Sequence, residues 1–587
     1  MSIRTITATL KTCTPLHVGS GRGNEAVDDL LRRDARGRVI IPGPSLAGAL
    51  RAIATRLAPR LGAEVCQALQ SNPPKDKACN CLVCQLFGDI NPQETDGKAS
   101  GVIIYDAVLG QDPRTVVRDG VGIDRVTGAA ARKERLKFDL EVLPAGATFH
   151  LRMELDPYFD DEKALELLAA SLAEWRAGRG VVGGRVARGL GAFALEDVSF
   201  KDETPKDVTA LVSFLKQGPD WRGKSRDKTW LTSQMQAART SIVAWPNDAG
   251  KADIPVARSW LMAEFILAAD GPMLVNDPVR AAQGGFDHAP LLATYDKNAR
   301  PVLPGSSLRG VLRSQAERIA RTLATLADGG DGVHFKKSCP ACNPLTAKKS
   351  DPVASCNSFI KALPAQERRE LDKKGAEDEL CMACRLFGSP WNGSRLRVED
   401  AYLEPGTAPK LKVMDFLAID RFTGGGRDGA KFDAVVLWKP RFRVRLFLEN
   451  PQPWELGWLT LALRDLDEGL TAVGFGRAKG FGQMHIEKPA LTLGYLHEDD
   501  LKALIAEEAL RQQMTPAKKT YSGVYSTLTY ARAQQAAWLQ LANVWVTTFH
   551  TEMKDRPRSD RIILEEDSYF TKKAGYRLPD LYHAEVA

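Results

Sequence analysis

Near the start of the chain Ile6, Ala8 and Leu10 alternate with Thr7, Thr9 and Lys11, the two-residue period of a half-buried strand. A similar alternation returns from Trp260 to Leu267, and each stretch runs into a turn containing a proline, Pro15 or Pro272. After a long loop the apolar positions change to helical spacing, with Ser45 and Ser307 suited to capping the helices they precede. Residues Glu162 to Ala177 predict a second helix in the first of these regions, and further strands follow. Strands and helices mixed in this order predict an α+β, ferredoxin-like core with insertions. Towards the C-terminus Leu501, Leu504 and Ile505, and then Trp538, Leu541, Ala542 and Trp545, sit at helical spacing, which predicts a helical appendage on the second region.

The pattern occurs twice. Ile41-Pro42-Gly43-Pro44-Ser45-Leu46-Ala47-Gly48-Ala49-Leu50-Arg51 matches Leu303-Pro304-Gly305-Ser306-Ser307-Leu308-Arg309-Gly310-Val311-Leu312-Arg313. Three more pairs follow in the same order: Cys81 to Gly88 with Cys381 to Gly388, Ile123 to Gly128 with Ile419 to Gly424, and Gly184 to Gly191 with Gly476 to Gly482. A Lys-Phe-Asp triplet, Lys137 to Asp139 or Lys431 to Asp433, follows the second of these. Preserved order with drifting spacing is the mark of a duplicated domain with different loop insertions. The 587 residues are expected to divide into a first copy (1–200), a linker rich in proline and glycine (201–255), a second copy (256–490) and a helical C-terminal extension (491–587).

Composition adds two limits. A hydrophobic fraction of 44% and a charged fraction of 26% are those of a soluble globular protein, and no apolar run approaches the ~20 residues of a membrane span. The N-terminus has no signal-peptide core, so the expected location is the cytoplasm. A net charge of +7 permits a polyanionic partner without requiring one.

Nine of the ten cysteines fall in two clusters, which in a reducing compartment points to metal rather than disulfides. Cys339, Cys342, Cys381 and Cys384 form two Cys-x-x-Cys pairs, a set suited to one tetrahedral Zn²⁺, with Cys356 and His334 in reserve. Cys79, Cys81 and Cys84 form the other cluster, with Cys66 as its fourth ligand. Neither has the histidine and carboxylate mixture of an open catalytic zinc, so both are expected to be structural.

Two kinds of segment suit a phosphate backbone. One is the glycine-rich loop of each copy, carrying Arg179, Arg185 and Arg188 in the first and Arg477 and Lys479 in the second. The other is the Pro-Gly-x-Ser turn, where Gly43 and Ser45, or Gly305 and Ser307, open a helix whose amides could hold a phosphate. Arg51 and Arg313, further along those helices, fit a phosphate contact or a buried salt bridge equally well.

Together the Pro15-Leu16-His17-Val18-Gly19 turn, the Pro-Gly-x-Ser-Leu-x-Gly-x-Leu-Arg element, the Cys-x-x-Cys-x-Leu-Phe-Gly element and the late glycine-rich loop resemble the RAMP superfamily. Specifically they resemble the backbone subunits of type III CRISPR effector complexes, and two domains in one chain resemble the tandem-fused subunit of type III-D variants. The resemblance implies an RRM-like fold that binds the CRISPR guide RNA beside other effector subunits, with β-hairpin thumbs interrupting the guide–target duplex. Residues 123–139, with Arg125, and 419–433, with Arg421, match the thumbs. It also implies cleavage of complementary target RNA by an aspartate in the loop after the first strand, with Mg²⁺ or another divalent ion; Asp28 matches that place, and Asp287 in the second copy. Since Leu274-Val275-Asn276-Asp277-Pro278 departs from the first copy's turn, an inactive second site is compatible with the pattern. A non-catalytic guide-RNA scaffold is the alternative. A guide-processing endoribonuclease fits least, because the eight histidines form no repeated pair.

Overall fold

The structure, a computed structural model, describes residues 4–555 except 26, 67–78, 90–96, 111–113, 124–129, 131–136, 158, 203–204, 206, 218–226, 246–255, 296–297, 328–339, 345–354, 375–378, 516–518 and 531–533. The first alternating stretch forms β1 (Arg4–Thr12). Then come α1 (Gly43–Leu57), β2 (Ala107–Leu109), the hairpin strands β3 (Val116–Val121) and β4 (Lys137–Val142), β5 (Thr148–Leu155), α2 (Glu162–Arg176) and β6 (Ala192–Asp202). The sheet runs β2-β5-β1-β6 through its centre, with antiparallel neighbours. That is the strand order of a ferredoxin-like unit, as the alternation of strands and helices predicts. Helix α2 starts where the Asp161 carboxylate accepts from the Ala164 amide at 3.0 Å. Leu46, Leu50 and Ala54 of α1 and Leu168, Leu172 and Trp175 of α2 pack on Ile6, Leu10, Phe149 and Leu151 of the sheet.

The second copy repeats this plan with β7 (Ser259–Ala269), α4 (Gly305–Ala327), β8 (Ala401–Leu403), the hairpin β9 (Leu411–Ile419) and β10 (Gly426–Trp438), β11 (Arg441–Glu449), α5 (Pro453–Asp467) and β12 (Met484–Tyr495). Its central order, β8-β11-β7-β12, is the same. Even an irregularity is duplicated. The register slips between Thr7 and Thr9 against β6, and between Glu264 and Ile266 against β12. Each bulge holds a non-glycine residue at positive φ, Asp197 at 52° and Lys488 at 50°.

Three expectations are corrected. The 201–255 segment is more than a connector, because α3 (Trp230–Ser241) lies within it and buries Trp230, Leu231 and Ala238, with Trp230 stacked on Phe200 at 4.9 Å. The C-terminal extension is more than helical, because β13 (Thr520–Ser522) and β14 (Tyr525–Thr529) form a hairpin that continues the second sheet beyond β12. Its helix α6 (Gln535–Asp555) buries Trp538, Leu541, Trp545 and Phe549, and Phe549 stacks on Trp458 of α5 at 5.6 Å. Nor do Ser45 and Ser307 cap their helices; both lie in the first turn, whose backbone donates to Pro42 and Pro304.

The extension also grips the first copy. Arg60, wholly buried just after α1, donates to both oxygens of Asp500 at 3.0 and 2.7 Å. Arg179 donates to both oxygens of Glu174 at 2.6 and 2.7 Å and to the Ser522 hydroxyl at 2.7 Å. Breaking a buried ion pair from one side strands the remaining charge, at a cost of about 3–5 kcal/mol. Asp500→Ala is therefore expected to lower the urea midpoint sharply, and Arg60→Met with Asp500→Leu to recover most of the loss. An unchanged midpoint in Asp500→Ala would contradict this pairing.

Candidate active site and metal centres

The hairpin bases hold the two aspartates singled out in the sequence. In the first copy the Asp28 amide donates to the Asp139 carbonyl at 3.0 Å, and the Asp139 amide donates to Asp28 Oδ2 at 2.8 Å. In the second copy the Asp433 amide donates to Asp287 Oδ2 at 2.9 Å. Each carboxylate thus meets the last residue of its Lys-Phe-Asp triplet, so the structure places the pair in equivalent positions.

Their surroundings differ. Beside Asp28, buried His17 places Nδ1 2.7 Å from the Glu141 carbonyl and Nε2 3.1 Å from Asp29 Oδ2. A carbonyl only accepts, so Nδ1 carries a hydrogen, and the second contact is a hydrogen bond only with a proton between Nε2 and Oδ2. In the second copy Leu274 takes the place of His17 and His288 that of Asp29. There the Asp287 amide donates to Asp433 Oδ1 at 2.8 Å, where the Asp28 amide meets the Asp139 backbone carbonyl instead. The His17–Asp29 pair is not among the sequence-predicted site residues; its signal is the Asp28-Asp29 doublet, absent from the second copy.

Further acids lie on the first hairpin. Lys137 Nζ is 3.9 Å from Asp119 and 3.7 Å from Asp139, while burial and then the Asp139 carboxyl push the Asp119 carboxyl up from its ordinary value. Among the described residues the groups of three or more side chains able to converge on an ion are both thiol clusters, and these carboxylates form no such group.

The glycine-rich loops pack against the same turns. Gly183 and Gly474, at φ 87° and 89°, lie so near the carbonyls of His17 and Leu274 that a Cβ would stand 2.2 and 2.4 Å away. Glycine serves close backbone approach here rather than a flexible surface turn. The loop geometry also shifts the sequence pairing by one place, setting Arg185 (φ 60°) against Gly476 (φ 78°). Arg185 lies over the Phe138 ring at 3.6 Å; burial, and then Arg188, hold its pKa below the ordinary value, while Asp29 and Asp28 oppose that shift. Arg188, Arg477 and Lys479 are exposed, with Lys479 5.5 Å from the Phe432 ring centre. Arg179 instead belongs to the buried contact with the extension.

The second hairpin is described to its tip. Asp420 Oδ1 accepts from the amides of Phe422 at 2.8 Å and Thr423 at 3.0 Å, which lowers its pKa and shapes the turn. Phe422 is 100% exposed, above exposed Leu417 and Ile419, and Arg421 is exposed beside it. Arg125 lies outside the described residues.

The Pro-Gly turns do not present free amides to a phosphate. The Gly43 amide donates to Asp106 Oδ1 at 2.7 Å and the Gly305 amide to Asp400 Oδ1 at 2.8 Å, so a carboxylate already occupies each helix N-terminus. The signal for these caps was a further repeat, Asp106-Ala107 and Asp400-Ala401. Arg51 and Arg313 point towards the thiols, with Nη2 3.6 Å from Cys84 Sγ and Cys384 Sγ respectively. Arg313 also makes a buried ion pair with Glu317 at 2.8 Å, the structural one of its two candidate roles.

Two sets of four thiols converge: Cys66, Cys79, Cys81 and Cys84, and Cys342, Cys356, Cys381 and Cys384, the sulfurs of each lying within 4.8 Å of one another. Cys66 thus takes its expected place. Cys339 lies outside the described residues, and the described set is completed by Cys356, the reserve ligand. Tetrahedral Zn²⁺ with bonds of about 2.3 Å needs sulfurs about 3.8 Å apart, and the contacts of 3.3 Å for Cys66–Cys84 and 3.5 Å for Cys342–Cys384 suit slight expansion around an ion. Hydrogen bonding holds the Cys81 and Cys381 thiols below their ordinary values, whereas neighbouring thiols push Cys66 up to about 12 and raise Cys84, Cys356 and Cys384. Four thiolates cannot coexist without a cation, so both sets fit zinc, and binding must release protons.

The RAMP superfamily model matches residues 9–194 and 287–485, together about two thirds of the chain. No curated protein matches. Among the described residues no helix is long and apolar enough to cross a membrane.

Metal analysis of the purified chain is expected to find two zinc equivalents. Cys84→Ser and Cys384→Ser should each lose one and expose the corresponding loop to limited proteolysis. Retention of both equivalents in either variant would remove that cysteine from the ligand set.

Proposed function

The chain belongs to the RAMP superfamily, and from that membership we propose that it is a backbone subunit of a CRISPR effector complex that binds guide RNA and cuts paired target RNA at its first copy. Exposed cations on both glycine loops, Arg188, Arg477 and Lys479, together with Arg421 at the hairpin tip, supply the phosphate contacts. The Phe422 tip, backed by Leu417 and Ile419, is an apolar wedge against which a displaced base stacks.

The observation that carries the cleavage reading is the grouping of Asp28, the Asp29–His17 pair and Arg185 at one hairpin base. In the proposed step the target's 2′-oxygen attacks the adjacent phosphorus, forming a 2′,3′-cyclic phosphate as the P–O5′ bond breaks. The second Asp28 oxygen takes the 2′ proton, and the departing O5′ receives a proton from the Asp29–His17 pair. Arg185 offsets the charge growing on the phosphorane. No step is assigned to a divalent ion, because no three of the described carboxylates converge on one point.

The second copy supports the scaffold reading for itself. Leu274, His288 and Gly476 replace His17, Asp29 and Arg185. Target-RNA cleavage mapped at nucleotide resolution tests the division. Asp28→Ala is expected to abolish the cut and His17→Asn to slow it by about 10²-fold, both with guide binding retained, while Asp287→Ala leaves the cut unchanged. Loss of cleavage in Asp287→Ala alone, or full activity in Asp28→Ala, would reverse the assignment.

A further inference from the structure

The two thiol sets share a chemistry but not a setting. Cys342, Cys356, Cys381 and Cys384 are 1%, 2%, 0% and 3% exposed and belong to the apolar core of the second copy. Side chains around them close the shell. Arg321 donates to the Ala341 carbonyl at 2.8 Å and to the Cys342 carbonyl at 3.1 Å, and Arg313, paired with Glu317, lies against Cys384. Backbone amides reach two of the sulfurs, Cys342 donating to Cys381 Sγ at 3.5 Å and Cys381 to Cys356 Sγ at 3.3 Å.

The first set stands open. Cys84 is buried, but Cys66, Cys79 and Cys81 are partly exposed. These three line a surface cleft of about 610 Å³, which Glu64, Asn80 and Lys163 also line. Behind them Val83 and Leu86, at 2% and 0% exposure, fasten the next helical turn into the first core. The first core is therefore anchored apart from its sulfurs, whereas the second set is itself part of the core around it.

A thiolate reacts as a nucleophile, and buried structural cysteines are inert for want of access. Zinc keeps its cysteine ligands in the thiolate form. In the first set a thiolate lining the cleft is open to a peroxide, and a second sulfur lies close enough to finish the reaction. Cys66 Sγ is 3.3 Å from Cys84 Sγ and 3.8 Å from Cys81 Sγ.

We propose that the first set is a peroxide-sensing metal site that gives up its ion on oxidation, while the second set is inert to the same oxidant. The cleft thiolate attacks one peroxide oxygen as the O–O bond breaks, giving a sulfenic acid and hydroxide. A neighbouring thiolate then attacks the sulfenic sulfur, forming a disulfide and displacing a second hydroxide. Two electrons pass from the two sulfurs to the peroxide, and two solvent protons turn the hydroxides into water. The two thiolates left are too few for a tetrahedral structural site, and the ion departs. A dithiol reductant reverses the oxidation by thiol–disulfide exchange. The inference uses neither RNA nor cleavage, so it stands or falls apart from the nuclease reading.

The test uses the full-length, zinc-loaded chain and hydrogen peroxide, with released zinc read by a coloured chelator. One equivalent is expected to leave at least about tenfold faster than the other. Alkylation and peptide mapping should then find a disulfide among Cys66, Cys79, Cys81 and Cys84, and none among Cys342, Cys356, Cys381 and Cys384. Circular dichroism should be retained, and dithiothreitol with added zinc should restore the lost equivalent. Release of both equivalents at one rate, or a disulfide in the second set instead, overturns the proposal. So does a first equivalent that the chelator takes as fast without peroxide, or zinc that peroxide leaves wholly in place.

Discussion

The carboxylate of Asp400 sits where three demands meet. It ends the α4 backbone at Gly305, faces a guanidinium from the other copy, and leaves room for no side chain at Gly189. Burial raises its pKa, with Arg118 and the Gly305 amide opposing that shift. A buried carboxylate of this kind is tolerated only with its partners present. The relative placement of the two sheets, and with them the two hairpins, is therefore tied to this charged contact as well as to the apolar cluster in which Trp260, Leu496 and Tyr525 join the first core. The first glycine loop serves this contact at Gly189 and the candidate active site at Gly183 and Arg185, so the joint and the candidate chemistry share a few residues.

The duplicated scaffold was legible because its elements are local. Strand alternation, the Pro-Gly turn, the Cys-x-x-Cys pairs and the helix of Trp538, Leu541 and Trp545 each need only nearby residues to be recognised. What escaped depends on partners far apart in sequence. The Asp106 and Asp400 caps reach their glycines across 63 and 95 positions, and Arg118 reaches Asp400 across 282. For the same reason Arg51 and Arg313 stood between two roles until the thiols beside them were placed. Cys356 was harder still, since it lies apart from either Cys-x-x-Cys pair and only folding brings it to the others.

Comparison of the copies separates what the fold requires from what has diverged. The β-bulge, the aspartate caps, the arginine-to-thiol contacts and the positive-φ glycines recur. His17, Asp29, Arg118 and Arg185 do not; their places hold Leu274, His288, Met414 and Gly476. These differences lie at the hairpins and beside the glycine loops.

The clasp made by the C-terminal extension has a consequence for biosynthesis. Arg60 is enclosed completely, yet the acid that neutralises it stands 440 positions later, and Arg179 awaits Ser522 across 343. While the ribosome is still making the second copy, Arg60 has no carboxylate to pair with and the first copy has a face without its covering hairpin. Vectorial folding from the N-terminus therefore halts one step short of completion until residues 500 and 522 have been made. Prematurely terminated products keep that defect, which distinguishes them from finished chains even when both copies of the core are present.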